Sequence, residues 1–120
     1  MGHGVDGRAS RSEVDHATAV QVAEVMQALA TPSRVRILGR LRDGACAVSV
    51  LAAAVGMEPS AVSHQLRVLR HLRLVIGERH GRQMIYALHD AHVAVLLDEA
   101  VFHVEHVRLG NVEPARATAS

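Results

Sequence analysis

A mainly α-helical domain with one β-hairpin is the fold class this sequence predicts, and three observations predict it. Apolar residues recur at helical spacing through most of residues 14–72 and again through 91–109. Between those stretches the pattern switches to two strand-like runs, Leu74-Val75-Ile76 and Met84-Ile85-Tyr86-Ala87-Leu88, flanking a turn that contains Gly81. The apolar share, 49%, is mostly Ala, Val and Leu with one Phe, one Tyr and no Trp, which suits helices packed through small aliphatics better than a β-sandwich.

At 120 residues one domain is expected, with a mobile arm at 1–13, a folded unit at 14–109 and a loose tail at 110–120. In the first helix, 14–29, Val14, Ala17, Val22, Val25, Met26 and Leu29 form an apolar stripe. Thr31-Pro32-Ser33 reads as a cap followed by Pro at the first helical position, opening a helix that turns Val35, Ile37, Leu38 and Leu41 inward and ends near Asp43-Gly44. A short helix at 48–55 stops at Gly56, and another starts near Glu58-Pro59-Ser60 and runs to about residue 72. The hairpin follows, with Gly81 free to take a positive φ at its tip. A last helix spans 91–109 and ends at Gly110-Asn111.

The formal net charge is only +1, but its distribution is informative. All 13 basic residues are Arg, and nine of them form two clusters, at 34–42 and at 67–82. From Asp90 to His106 the charged side chains are Asp90, Asp98, Glu99 and Glu105, with no Arg. A basic middle suits phosphate and an acidic, histidine-bearing end suits a cation.

Residues 48–67 follow helix-turn-helix logic. Ala52 is small where two helices would cross, Gly56 sits at the turn, and Leu51, Val55, Val62, Leu66 and Leu69 form the seam beneath. The outer side of the second helix then carries Ser60, Ser63, His64, Gln65 and Arg67, with Arg70 in the next turn. Short hydrogen-bonding side chains with Arg suit base edges and phosphates in a major groove. The hairpin, tipped with Arg79, His80 and Arg82, makes a winged helix-turn-helix whose wing arginines would touch the DNA backbone or minor groove. A plain two-helix packing unit with solvated polar residues is the competing reading; the combination of helix, turn, helix and basic hairpin favours DNA.

Asp90-Ala91-His92, ten intervening residues, then His103-Val104-Glu105-His106 supply four metal-ligating side chains that one helix cannot gather. At 1.5 Å rise per residue, His92 and His103 lie about 16 Å apart along a shared axis, yet about three turns brings them to one face. They meet only if a second copy of the helix lies antiparallel, with Asp90 and His92 of one subunit facing His103 and His106 of the other. The spacing thus predicts a metal and a homodimer together. Three imidazoles and a carboxylate suit zinc, cobalt or nickel. Gly2 is small enough for Met1 to be removed, and its amine beside His3 would extend the site towards six-coordination, which favours Ni(II) or Co(II) over Zn(II); a loose tail is the alternative.

These residues resemble the ArsR/SmtB family of winged-helix metal-sensing repressors over about residues 20–108. The likeness is densest in Ala28-Leu29-Ala30-Thr31-Pro32-Ser33-Arg34, in residues 60–70 and in Gly81-Arg82-Gln83-Met84-Ile85-Tyr86-Ala87-Leu88. The family's C-terminal-helix site matches Asp90, His92, His103 and His106 without gaps, and Gly2-His3-Gly4-Val5 resembles its nickel/cobalt branch, in which the N-terminal amine and His join the site. The resemblance implies a homodimer through the N- and C-terminal helices that binds operator DNA and releases it on taking up Ni(II) or Co(II), with Zn(II) as the alternative ion. Two departures matter. The family's thiolate box falls at Ala47 and Ser49, which speaks against a cadmium, lead or arsenic site there, and Cys46 reads as a packed thiol. Arg108 stands where the nickel branch carries a further histidine.

Other classes fit less well. A winged-helix regulator with a non-metal switch and structural histidines is the nearest rival. A metallohydrolase would want an HExxH-type motif and an aimed general base, and neither is visible, so no enzyme is expected. A lone cysteine excludes an intramolecular disulfide. No apolar run reaches the roughly 18–20 residues of a membrane span and no signal peptide is visible, so a cytoplasmic location is expected, with no membrane and no protein substrate as partner.

Overall fold

The computed structural model describes residues 13–110. The expectations for the arm, including Gly2 and His3, and for the tail from residue 111 lie outside the described residues.

Each element starts or stops where local chemistry satisfies the free ends of its backbone. The Asp15 carboxylate accepts from the Thr18 amide at 2.8 Å and opens α1 (His16–Ala28). Thr31 Oγ1 accepts from the Arg34 amide at 3.4 Å, and Pro32, which has no amide hydrogen to satisfy, leads α2 (Pro32–Arg42). The two-residue strand β1 (Cys46–Ala47) precedes α3 (Val48–Val55). Gly56, at φ 68°, then turns the chain so that the Met57 amide donates to the Ala52 carbonyl at 3.0 Å. The recognition-type helix α4 (Pro59–His71) closes with the Leu74 amide donating to the Leu69 carbonyl at 2.9 Å and Arg73 at φ 62°. Strands β2 (Val75–His80) and β3 (Gln83–Leu88) pair antiparallel around Gly81, and α5 (Ala91–Arg108) follows.

The hairpin gains a third strand that the sequence does not announce. β1 pairs with β3, Cys46 opposite Tyr86 and Ala47 opposite Ile85, giving the order β1-β3-β2. Two residues are too few to show alternation, so only the pairing reveals them.

The core lies among α2, α3, α4 and the sheet. Ile37, Leu38, Leu51, Val62, Leu66, Leu69 and Val75 are fully buried. Each contributes about 1.5–3 kcal/mol by leaving water. The expected seam under the helix-turn-helix is present in full, since Leu51, Val55, Val62, Leu66 and Leu69 all belong to this core, and Cys46 packs there as a buried free thiol.

The outer helices behave differently. α1 buries only Ala28; Val25 and Leu29 of its expected stripe are part-buried, while Val14, Val22 and Met26 stay exposed. α5 buries Val93 and Leu97 but leaves Val95, Val101, Phe102, Val104, Val107 and Leu109 uncovered. Both helices thus keep the apolar periodicity of a packed element, yet much of that apolar surface is uncovered among the described residues. No described helix is long and apolar enough to cross a membrane.

Candidate nucleic-acid interface and metal centre

The polar side of α4 divides into a face and two flanks. Ser60, His64, Arg67, Arg70 and His71 are exposed, whereas Ser63 and Gln65 are half-buried on opposite shoulders. On the sheet side, Ser63, Arg67, Arg70, His71 and Tyr86 line an open recess of about 540 Å³. Its two Arg side chains and the Ser hydroxyl are hydrogen-bond donors suited to phosphate. His71 and Tyr86 were not among the sequence candidates. The first is the last residue of the helix, and the second enters only because β3 lies beside it.

On the other shoulder Gln65 is engaged already. Its Oε1 accepts from Arg34 Nε of α2 at 2.6 Å, across 31 residues of sequence. The expectation of an unencumbered Gln65 on the outer face is therefore modified: its carbonyl half is turned inward. At the wing, Arg79 and Arg82 are exposed on either side of the turn, and His80 Nε2 lies 3.1 Å from Glu78 Oε1. The basic tip thus keeps both arginines open to solvent while the histidine leans back along β2.

The four metal-site candidates fall into two pairs at opposite ends of α5. Asp90 is the cap of that helix: Oδ1 accepts from the amides of His92 at 2.9 Å and Val93 at 3.2 Å. Oδ2 accepts from His89 Nδ1 at 3.0 Å. His92 Nδ1 lies 3.5 Å from Asp90 Oδ1, and its side chain is 88% exposed. The His89 hydrogen bond, joined by the two amides and the His92 charge and opposed by partial desolvation, holds the Asp90 carboxyl below its ordinary value of 3.8. At the far end His103 is exposed, and the half-buried His106 stacks on Phe102 with ring centroids 5.6 Å apart and planes at 26°.

One chain does not bring the pairs together. Among the described residues no group of three or more His, Cys, Asp or Glu side chains stands close enough to hold an ion. The donors themselves fit a borderline divalent metal: three imidazoles and one carboxylate. Of the roughly four lone-pair positions on a carboxylate, the cap and His89 contacts occupy three, which leaves Asp90 a position for an ion. His89 was not singled out in the sequence. Its signal is adjacency to Asp90, which orients the carboxylate as the partner of a metal ligand commonly does.

Comparison with known proteins agrees with this architecture. Residues 31–76 match the bacterial regulatory protein, arsR family. The chain is 60% identical over 111 residues to the HTH-type transcriptional regulator NmtR of Mycobacterium tuberculosis, covering 92% of each chain. It superposes on the solution structure of apo-NmtR with a TM-score of 0.69, spanning 96% of this chain and 99% of that one at 57% identity. A transcriptional repressor SmtB homolog of Synechocystis is 47% identical over 87 residues, 72% of this chain and 66% of that protein. A homodimeric winged helix-turn-helix DNA-binding domain from Mycobacterium bovis superposes with a TM-score of 0.76 at 31% identity, over 88% and 97% of the two chains.

Proposed function

From its membership of the arsR family of bacterial regulatory proteins, to which this DNA-binding chain belongs, we propose that it is a homodimeric repressor that holds operator DNA without metal and lets go when Ni(II) or Co(II) binds. The observation that carries the metal half of this reading is the division of ligands along α5. Asp90 and His92 stand at one end, His103 and His106 at the other, no three-donor group forms among the described residues, and the same helix leaves an apolar face uncovered there. Antiparallel pairing of two α5 helices covers that face and joins Asp90 and His92 of one protomer with His103 and His106 of its partner. The homodimeric neighbour supports a dimer.

In the DNA-bound state the two copies of α4 must lie about 34–36 Å apart to enter successive major grooves. Ser60, Ser63 and His64 then face base edges, with Gln65 at the shoulder. Arg67 and Arg70 reach phosphates, and Arg79 and Arg82 hold the flanking backbone or minor groove. Bound metal supplies a cross-link between the two α5 helices. Because α5 packs on α2 and β3, which in turn carry α3 and the wing, a change in how the α5 helices pair alters the separation of the recognition helices. Gly2 and His3 complete a six-ligand shell in this reading, supported by the likeness of the N-terminal segment to the nickel/cobalt branch; with four ligands alone, Zn(II) becomes the better fit.

Fluorescence anisotropy on operator DNA tests the whole proposal, with nickel, cobalt and zinc titrated separately and with residues 1–4 present or removed. Nickel and cobalt release the full-length protein, and removing residues 1–4 selectively blunts that response. Coupling is reciprocal, so operator DNA weakens metal binding by the factor with which metal weakens DNA binding. Calorimetry showing nickel affinity indifferent to DNA would end the mechanism.

A further inference from the structure

The contact between α2 and the shoulder of α4 has a consequence for which base the protein reads. A guanidinium carries only donors, so the atom of Gln65 that meets Arg34 Nε must be the carbonyl oxygen. The separation is 2.6 Å, short even for a charge-assisted bond, and both side chains are half-buried. Arg34 is itself anchored, since its amide donates to Thr31 Oγ1 in the first turn of α2, and that helix is pinned to the core by Ile37 and Leu38. The amide of Gln65 therefore has a fixed sense, oxygen inward and NH2 outward.

An unrestrained Gln reads adenine by accepting from N6 while donating to N7. With its oxygen held on the Arg34 side, the end of Gln65 left to meet a base is the NH2 donor. That donor finds two acceptors on guanine, O6 and N7, and O4 on thymine, against N7 alone on adenine. It finds no partner on the amino groups of adenine and cytosine. We propose that Arg34, which does not itself touch a base, is a positioning residue that sets the base preference of Gln65. This inference rests on the reading of α4 as the DNA-recognition helix.

The test is selection of binding sites from a randomised palindromic duplex pool by the full-length, metal-free dimer. Wild type enriches G or T at one position in each half-site, and Gln65→Ala flattens preference at that position alone. Gln65→Glu keeps the Arg34 partner but replaces the outward donor by an acceptor, so the same position moves to C or A by roughly tenfold. Arg34→Met frees the carbonyl and shifts that position towards A by a similar factor, Arg34→Lys restores much of the original preference, and Arg34→Met adds nothing in the Gln65→Ala background. An unchanged profile in either Gln65→Glu or Arg34→Met overturns the proposal, and the Gln65→Glu profile decides alone if Arg34→Met does not fold. A wild-type protein that enriches no sequence would instead overturn the recognition-helix reading, a result no Arg34 variant could mimic.

Discussion

Arg73 occupies the left-handed region at φ 62°, in the closing turn of α4 where glycine is the usual residue. A residue with a Cβ is strained there by about 1–2 kcal/mol, and glycine returns part of that gain through the greater freedom of its unfolded chain. Arg73→Gly should therefore stabilise the fold by about 0.5–1 kcal/mol, read as a higher urea midpoint at unchanged slope. Gly77 presents the opposite case. It lies across from Tyr86 in the β2–β3 ladder, and an added Cβ would meet Tyr86 Cε1 at 2.8 Å and Met84 Cε at 3.1 Å. The Tyr86 ring would have to move, so Gly77→Ala should lower stability by about 1–3 kcal/mol in the same assay. At Asp90 the expected effect depends on pH. Its folded carboxyl titrates below 3.8, chiefly through the His89 hydrogen bond, so its stabilisation is present above that value and is lost as pH falls through the lower folded one. Asp90→Asn can still cap α5 but cannot titrate. The metal-free variant should start less stable at neutral pH and lose less on acidification, and parallel acid limbs for the two proteins would refute the assignment.

Whether an element can be read from sequence depends on whether its partner lies nearby in the chain. The helix start at Thr31, the stop at Gly56 and the seam from Leu51 to Leu69 follow from caps and periodicity, because each acts within a few residues. The Asp15 cap instead moves the start of α1 to His16 from the expected residue 14. β1 has no signal of its own and exists because β3 offers it Tyr86 and Ile85. The Arg34–Gln65 bond was equally hidden, since α2 and α4 meet only after the intervening turns have formed. Of the candidate site, the ligand types and their division along α5 were legible, whereas the capping role of Asp90 and the support from His89 needed coordinates. α1 and α5 show the limit most clearly. Their apolar stripes were legible, but the described residues leave most of each uncovered, a pattern that fits the proposed pairing with a second copy. Val104 is 57% exposed on α5 and lines an apolar groove with Leu29, Val35, Ala100 and Val101. Val104→Glu should leave helix content and unfolding slope unchanged yet place a carboxylate in the paired surface. Sedimentation should then show monomers at concentrations where wild type is dimeric, and DNA affinity should fall because half-sites are bound singly. A variant that remains dimeric would place the interface elsewhere.

For the whole molecule the claim to be tested is that each metal site is shared between two chains, and symmetry makes the test quantitative. In an isologous dimer both sites are equivalent, each taking Asp90 and His92 from one subunit and His103 and His106 from the other. Asp90→Ala/His92→Ala breaks both sites in its own homodimer, and His103→Ala/His106→Ala does the same. A mixed dimer is different. One of its sites draws Asp90 and His92 from the second variant and His103 and His106 from the first, so it is whole, while its other site has lost all four ligands. Random reassortment makes about half of the dimers mixed, so mixing two inert proteins should restore roughly a quarter of the wild-type metal stoichiometry. Cobalt absorption provides the readout, because ligand-field bands report coordination geometry as well as occupancy. Sites confined to one chain could not regenerate this way, since each variant chain lacks half of its own ligands in any dimer it joins. The restored site also bears on allostery. If one cross-link suffices to change the spacing of the α4 helices, mixed dimers release DNA at half occupancy; if both are required, they bind cobalt and keep their grip on the operator.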